Sequence, residues 1–201
     1  MYCIGITGGS AGGKTTFVNL LKEEFANNQV IFISQDDYYN VNDHLSMTER
    51  ERINYDHPNA IDFELLNQHI SKLKKGIKIN KPIYDFASHN RTAETEVINP
   101  KKVLILEGIL ILNDSEIKSM MDYTLFADAP ETVRLERRIG RDVKERGRTK
   151  ESVLKQWEAT INPMHNQFVE PHKSNVDLII DGTKPFDESL KTVSEIIKQQ
   201  L

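Results

Sequence analysis

The sequence predicts an α/β fold in which a doubly wound parallel sheet carries helices on both faces, and three observations lead there. Short apolar runs without polar alternation recur at residues 2–7, 30–34, 103–106, 123–127 and 177–180, the pattern of strands covered on both sides. Segments with apolar residues at helical spacing lie between or after them, so strands and helices alternate as a sheet with right-handed crossovers requires. The first strand opens straight into a glycine-rich loop and a helix, which places a ligand at the carboxyl ends of the strands.

Taken in order, residues 2–7 form the first strand and residues 15–25 a helix with Phe17, Val18, Leu20, Leu21 and Phe25 on its apolar side. The second strand, 30–34, ends at Gln35, Asp36, Asp37, Tyr38 and Tyr39. A polar stretch follows to Asn59, and Asp62 then caps a helix with Phe63, Leu66, Ile70 and Leu73 on one face and Gly76 as its stop. Residues 77–99 hold β-like pieces at 83–86 and 95–98 without a comparable helical period, so a small β-rich excursion leaves the main sheet there. Strands at 103–106, 123–127 and 177–180 complete the sheet, and a closing helix over roughly 187–199 turns Leu190, Val193, Ile196 and Ile197 to the core.

A chain of 201 residues, 38% apolar and 28% charged, suits one domain spanning 1–201. Its longest apolar stretch, 103–112, is broken by Glu107 and Gly108 and falls short of the roughly 20 residues a bilayer span needs. The N-terminus shows no basic, apolar leader, so a cytoplasmic protein with no membrane partner is expected. With 26 basic against 30 acidic residues the formal charge is −4, which argues against the broad positive potential of a nucleic-acid binder. Any anion binding must be local. The single cysteine, Cys3, reads as a small buried hydrophobe.

The loop Gly8-Gly9-Ser10-Ala11-Gly12-Gly13-Lys14-Thr15-Thr16 contains the spacing G-x-x-x-x-G-K-T. Glycines so placed let backbone N–H groups turn inward around phosphates, and the following helix adds its positive N-terminal dipole. Lys14 then reaches the β- and γ-phosphates, and the Thr15 hydroxyl faces Mg²⁺, a hard cation that takes oxygen ligands. Glu107, ending an apolar strand before Gly108, puts a carboxylate on the metal side of the same rim. Asp36 can approach the γ-phosphate from the acceptor side as a general base, but an Asx-turn or a helix cap explains Asp36 or Asp37 equally well.

Arg134, Arg138 and Arg141 fall at i, i+4 and i+7 of a helix, with Arg137 beside them and Arg146-Gly147-Arg148 beyond; Leu135, Ile139 and Val143 mark its apolar side. The arginines suit a solvated basic face or a lid over 134–156 that closes on a transferring phosphoryl group, Gly147 letting its tip swing. Tyr84, Phe86 and His89 in the β-rich excursion offer aromatic stacking with a polar contact, or simply surface side chains. Asp56, within Tyr55-Asp56-His57-Pro58, suits turn chemistry or a ribose diol.

Together these residues resemble the uridine kinase (uridine–cytidine kinase) family of P-loop kinases, from the strand before Gly8 to about Ile180. The matching segments are residues 8–16, Gln35-Asp36 through Tyr39, Tyr55-Asp56-His57-Pro58, Tyr84-Asp85-Phe86-Ala87-Ser88-His89, Glu107-Gly108-Ile109, and Arg141-Asp142 through Glu145-Arg146-Gly147-Arg148. The resemblance implies a P-loop NTPase-type sheet and transfer of the γ-phosphate of ATP or GTP, with Mg²⁺, to the 5′-hydroxyl of uridine or cytidine. By that likeness Asp36 is the base, Asp56 holds the ribose hydroxyls, Tyr84 and His89 read the pyrimidine edge, and Tyr55 and Phe86 flank it, with Tyr39 on the same substrate side. Arg138, Arg148 and Gln156 match substrate-side positions of the lid, and Arg141 and Arg146 match phosphate contacts. A homotetramer is implied as well. The chain departs from the family at Gly12, where serine is common, and at Tyr55, where some members carry phenylalanine; residues 181–185 match less well.

Two other readings share parts of this pattern. A phosphoribulokinase- or pantothenate kinase-like enzyme acting on another small alcohol would keep the loop and lid but differ at 84–89. A GTP-binding switch would need Asp-x-x-Gly and Asn-Lys-x-Asp elements, and neither occurs: Asn80-Lys81-Pro82 is followed by Ile83.

Overall fold

The computed structural model describes residues 1–25 and 30–201. Tyr2–Thr7 forms β1, and the glycine loop leads into α1 (Lys14–Phe25). Val30–Ser34 forms β2, which ends in a 3-10 turn at Gln35–Tyr38. The polar stretch after it contains one helical turn, Met47–Arg50, secured where Glu49 accepts the Ser46 N–H at 2.8 Å. α2 (Phe63–Lys74) starts where the Asp62 carboxylate accepts the Leu65 N–H at 3.0 Å, the bond an N-cap aspartate is chosen for. Gly76, at φ +76°, follows its end.

The excursion is a hairpin of β3 (Ile79–Asp85) and β4 (Asn90–Ile98), paired antiparallel and separate from the main sheet. It is longer than the two pieces read from the sequence, because Thr92 to Val97 are exposed and polar-rich and carry little apolar signal. β5 (Val103–Glu107), α3 (Ser115–Met120), β6 (Tyr123–Asp128) and α4 (Glu131–Arg146) come next. After Gly147, α5 (Lys150–Gln156) runs into wide π-type turns at Trp157–Ile161 and His165–Val169. β7 (Leu178–Asp181) and α6 (Asp187–Gln200) close the chain.

The main sheet has the order β2-β5-β1-β6-β7, and every pairing in it is parallel. Its two coverings can be read from β5 alone: Leu104 and Leu106 join the cluster containing Leu66, Ile70 and Leu73 of α2, while Val103 and Ile105 join that of Phe17, Leu21, Val193 and Ile197 from α1 and α6. Successive strand side chains point to opposite faces, so a run that is apolar at every position is what two helical layers demand. Each such side chain, fully buried, stabilises the fold by roughly 1.5–3 kcal/mol.

One helix departs from expectation. The buried residues of α4 are Arg134, Arg138 and Asp142, whereas Leu135 and Ile139 are half-buried and Val143 is 44% exposed. The apolar side marked by Leu135, Ile139 and Val143 therefore does not face the core. The charged side does, and it faces the ends of the strands.

Candidate active site

The register of the sheet brings the site together, since Ile6 of β1 and Ser34 of β2 both pair with Glu107 of β5. The glycine loop, the Asp36 turn and Glu107 thus end level on one rim. In the loop, Gly8 (φ +134°) and Gly13 (φ +105°) take conformations that side chains resist, and Ala11 is left-handed at φ +61°. A Cβ on Gly8 would fall 2.3 Å from the Ala127 carbonyl oxygen. At Gly12 it would meet the Ala127 and Gly9 oxygens, each at 2.9 Å, and a Cβ on Gly182 would fall 2.2 Å from the Gly12 oxygen. Glycine at position 12 therefore suits a loop pressed between β6 and the 181–185 segment.

Lys14 is buried and its Nζ donates to the Gly8 and Gly9 carbonyls at 2.7 and 3.0 Å. Burial pushes its ammonium down to about 8, against the pull of Glu107 and Asp36. Thr15 and Thr16 are exposed at the start of α1.

Ser34 links the two acids: its hydroxyl donates to Glu107 Oε1 at 2.8 Å and accepts the Asp36 N–H at 3.3 Å. Asp36 keeps some solvent contact, yet burial raises its carboxyl to about 6, helped by the Glu107 charge and opposed by Lys14 and Arg146. Its neighbour is otherwise engaged. Asp37 pairs with Lys81 of β3 and accepts the Tyr84 N–H at 3.4 Å, so it fastens the hairpin to the Gln35–Tyr38 turn.

Among the described residues no cluster of three or more His, Cys, Asp or Glu forms a protein cage for a metal. Mg²⁺ is typically held by one or two protein oxygens plus substrate phosphates, and the donors present fit that mode. Glu107 offers a carboxylate beside the raised Asp36 carboxyl, two acids whose repulsion a divalent cation would relieve.

Around the turn of the hairpin, Tyr39, Tyr55, Tyr84, Phe86 and His89 form one continuous cluster. Tyr39 packs on Tyr84 and Tyr55 with ring centroids 5.0 and 5.1 Å away, Tyr55 stacks on His89 at 5.6 Å, and Tyr84 meets the Phe86 edge at 5.2 Å. The Tyr84 hydroxyl is buried, and burial together with the neighbouring Tyr55 hydroxyl raises its pKa, so its one close polar neighbour leaves room for a polar ligand to bond. His89 holds a left-handed φ of +49° at the hairpin tip, and Phe86 is 47% exposed. Asp56 lies between this cluster and the arginines: burial raises its carboxyl, and the Arg138, Arg141 and Lys14 charges oppose the rise.

The arginines fall into distinct environments. Arg138 Nη1 donates to Ser10 Oγ of the glycine loop at 2.7 Å, and both Arg138 and Arg148 donate to Gln156 Oε1. Arg146 lies over the Phe86 ring, 5.2 Å from its centroid, so the end of α4 and the hairpin touch. Gly147, left-handed at φ +63°, is the residue that ends α4. Arg134 packs over Trp157 and beside Gly9, where a Cβ would meet Arg134 Nη1 at 2.7 Å and His165 at 2.9 Å.

Sequence reasoning gave no role to Ser34, Asp142 or His165. Ser34 carries no motif beyond its place at a strand end, and His165 reaches the loop from a segment far along the chain. Asp142 stood in plain view between arginines, and its one-to-four charge imbalance was the available signal.

The model of the family described as "Phosphoribulokinase / Uridine kinase family" matches residues 3–187. A protein of Clostridium novyi (strain NT) named uridine kinase is 48% identical over 177 residues, covering 88% of this chain and 85% of that one. One of Vibrio vulnificus (strain YJ016), also named uridine kinase, is 48% identical over 181 residues with the same coverage, 88% and 85%. Among solved structures, phosphoribulokinase from Rhodobacter spheroides superposes with a TM-score of 0.66 at 16% identity, covering 92% of this chain and 73% of its own, a likeness of fold. With the fold, the phosphate loop and relatives of this closeness in agreement, this chain belongs to the phosphoribulokinase / uridine kinase family.

Proposed function

We propose that this chain is a uridine kinase, transferring the γ-phosphoryl group of a nucleoside triphosphate to the 5′-hydroxyl of uridine or cytidine. The observation that carries the reading is the position of Asp36, between a phosphate cradle on one side and an aromatic, acid-bearing pocket on the other, together with relatives of that name at 48% identity. The whole chain acts as one domain, with the β3–β4 hairpin on the acceptor side and residues 134–156 as lid.

In this reading the loop N–H groups and Lys14 hold the donor phosphates, and Asp56 accepts hydrogen bonds from the ribose hydroxyls. Tyr84 and His89 meet the base edge between Tyr55 and Phe86, with Tyr39 beneath. The 5′-oxygen attacks the γ-phosphorus as its proton passes to the Asp36 carboxylate, and the bond from the γ-phosphorus to the β–γ bridging oxygen breaks to release the nucleoside diphosphate. A carboxyl raised to about 6 is still ionised at neutral pH and is a stronger base than an ordinary aspartate. Arg141 and Arg146 meet the charge spread over the moving phosphoryl group, with Arg138, Arg148 and Gln156 steadying the acceptor. Thr15 and Glu107 would hold Mg²⁺, which would supply charge neutralisation at the donor phosphates.

ATP or GTP as donor and a homotetramer are what the family resemblance implies, and the cytoplasmic location follows the sequence's lack of a membrane-spanning apolar run; no helix among the described residues is long and apolar enough to cross a membrane. A coupled assay with both donors and a panel of uridine, cytidine, purine nucleosides, ribulose 5-phosphate and pantothenate tests the reading. Turnover of the pyrimidine nucleosides is expected; turnover of either non-nucleoside alcohol without uridine would overturn it.

A further inference from the structure

Asp142 takes no part in the chemistry above, yet it is the centre of the lid's charge. It has no solvent exposure, 0%, and four guanidiniums surround it: Arg141 Nη2 at 2.8 Å, Arg138 Nε at 3.3 Å, and Arg146 Nε and Arg148 Nη1 each at 3.8 Å. Helical spacing brings Arg138 and Arg146 to it from one turn on either side. The reversal at Gly147 returns Arg148 over the same residue, because the Gly147 and Arg148 N–H groups both donate to the Asp142 carbonyl, the latter at 3.1 Å. Arg141 Nε donates to Asp142 Oδ1 at 2.9 Å, the other three guanidiniums stand at ion-pair distance, and the main chain of the same residue fixes the reversal that returns Arg148.

The charge balance is deliberately incomplete in its effect. Four guanidiniums without a counter-ion repel one another, and the Asp142 carboxylate, joined by the Asp56 charge that acts on Arg138 and Arg141, offsets part of that repulsion. Two carboxylates against four guanidiniums leave the cluster net positive and able to draw a polyphosphate. Buried and surrounded in this way, the Asp142 carboxylate is also protected from the large penalty of an unpaired buried charge.

We propose that Asp142 is a positioning residue that gathers Arg138, Arg141, Arg146 and Arg148 before the donor binds, so that Arg141 and Arg146 are already turned to the polyphosphate and Arg138 and Arg148 to the acceptor side. It touches neither substrate nor reacting atoms and acts through the arginines. The inference rests on the phosphotransferase reading and extends it.

The test compares Asp142→Asn, which keeps size and removes charge, with Asp142→Glu, which keeps charge and moves it. Uridine turnover gives kcat and KM, titration with a non-hydrolysable ATP analogue at several salt concentrations gives donor Kd, and thermal melting checks folding. Asp142→Asn should lose roughly tenfold to a hundredfold in kcat, the scale of misplacing groups by about an ångström. Its donor Kd should depend more steeply on salt, because one more uncompensated positive charge faces the phosphates. Asp142→Glu should also lose kcat but keep the wild-type salt dependence, a split that a purely structural role would not produce. Wild-type kcat in either folded variant, or an unaltered salt dependence in folded Asp142→Asn, overturns the proposal. If Asp142→Asn does not fold, Asp142→Glu decides alone by its kcat. Absence of nucleoside turnover by the wild-type chain would instead remove the reading beneath it.

Discussion

In the proposed reading the donor half of the site is nine consecutive residues, 8–16, while the acceptor half is assembled from the turn after β2, the 55–56 stretch, the hairpin and the α4–α5 segment. The donor half works through the main chain: glycine conformations at 8 and 13, N–H groups, and one lysine folded onto the carbonyls of its own loop. The acceptor half works through side chains that meet only because the sheet register and the Asp37–Lys81 pair bring their elements together. Main-chain recognition needs a local pattern and little else. Side-chain recognition needs the fold, so it tolerates no single motif and spreads its sensitivity over distant positions.

If this contrast is sound, substitutions in the two halves should separate donor from acceptor behaviour. The largest effect is expected at Lys14. Removing its ammonium in Lys14→Ala takes away a charge aimed at the transferring group, and kcat/KM should fall by roughly a thousandfold, the upper range for losing one such electrostatic contact. Nucleoside affinity, measured by titration without donor, should stay near wild type. Loss of nucleoside binding in a folded variant would break the contrast.

Next comes Asp36→Asn, at the junction. An amide cannot take the 5′-hydroxyl proton, so kcat should fall by roughly a hundredfold or more with donor Kd largely kept. An unchanged kcat would return the role to Asp37. Against that stands the geometry, because Asp37 is committed to Lys81 and the Tyr84 N–H.

The same contrast explains what could be read before the structure. The five sheet strands and the helices α1, α2 and α6 were legible because an apolar run or stripe is a direct consequence of burial on two sides. The glycine loop was legible because its requirements are local. α4 was legible only in part: Leu135, Ile139 and Val143 mark an apolar side, and of the two settings open to the arginines the solvated face is not the one found, since that side of the helix packs its charges against one another and against Ser10. Periodicity records which residues dislike water and is silent on charges that are buried because they are paired. The Tyr39–Tyr55–Tyr84 contacts were invisible for a different reason, since aromatic residues far apart in sequence carry no sign of their shared cluster. There the family resemblance, rather than physical pattern, supplied the site.

A smaller effect, confined to the acceptor half, is expected at His89. His89→Ala should reduce discrimination between pyrimidine and purine nucleosides by roughly tenfold, the scale of one net hydrogen bond, with donor Kd unchanged. Selectivity equal to wild type would make His89 a hairpin-tip residue alone, held by its stack on Tyr55.

The least effect on turnover at neutral pH is expected where the halves touch, at His165. Its ring is buried beside Gly9 and Arg134, with Nε2 3.1 Å from Glu170 Oε2. Burial, reinforced by the Arg134 charge, pushes the imidazole down to about 4, and the Glu170 carboxylate only partly opposes this. In the unfolded chain the same group titrates near 6.5. Between those values the unfolded state binds a proton that the folded state does not, so stability must rise with pH across the window and fall as the solution is acidified through it. The slope from one such group is at most about 1.4 kcal/mol per pH unit. In His165→Phe, which cannot titrate, urea midpoints measured from pH 4.5 to 6.5 should depend less steeply on pH than in the wild type. An equal slope in both proteins would show that the folded state leaves His165 titrating as in the unfolded chain, and a slope that falls below that of His165→Phe near pH 6.5 would show Glu170 holding the ring as a charged pair.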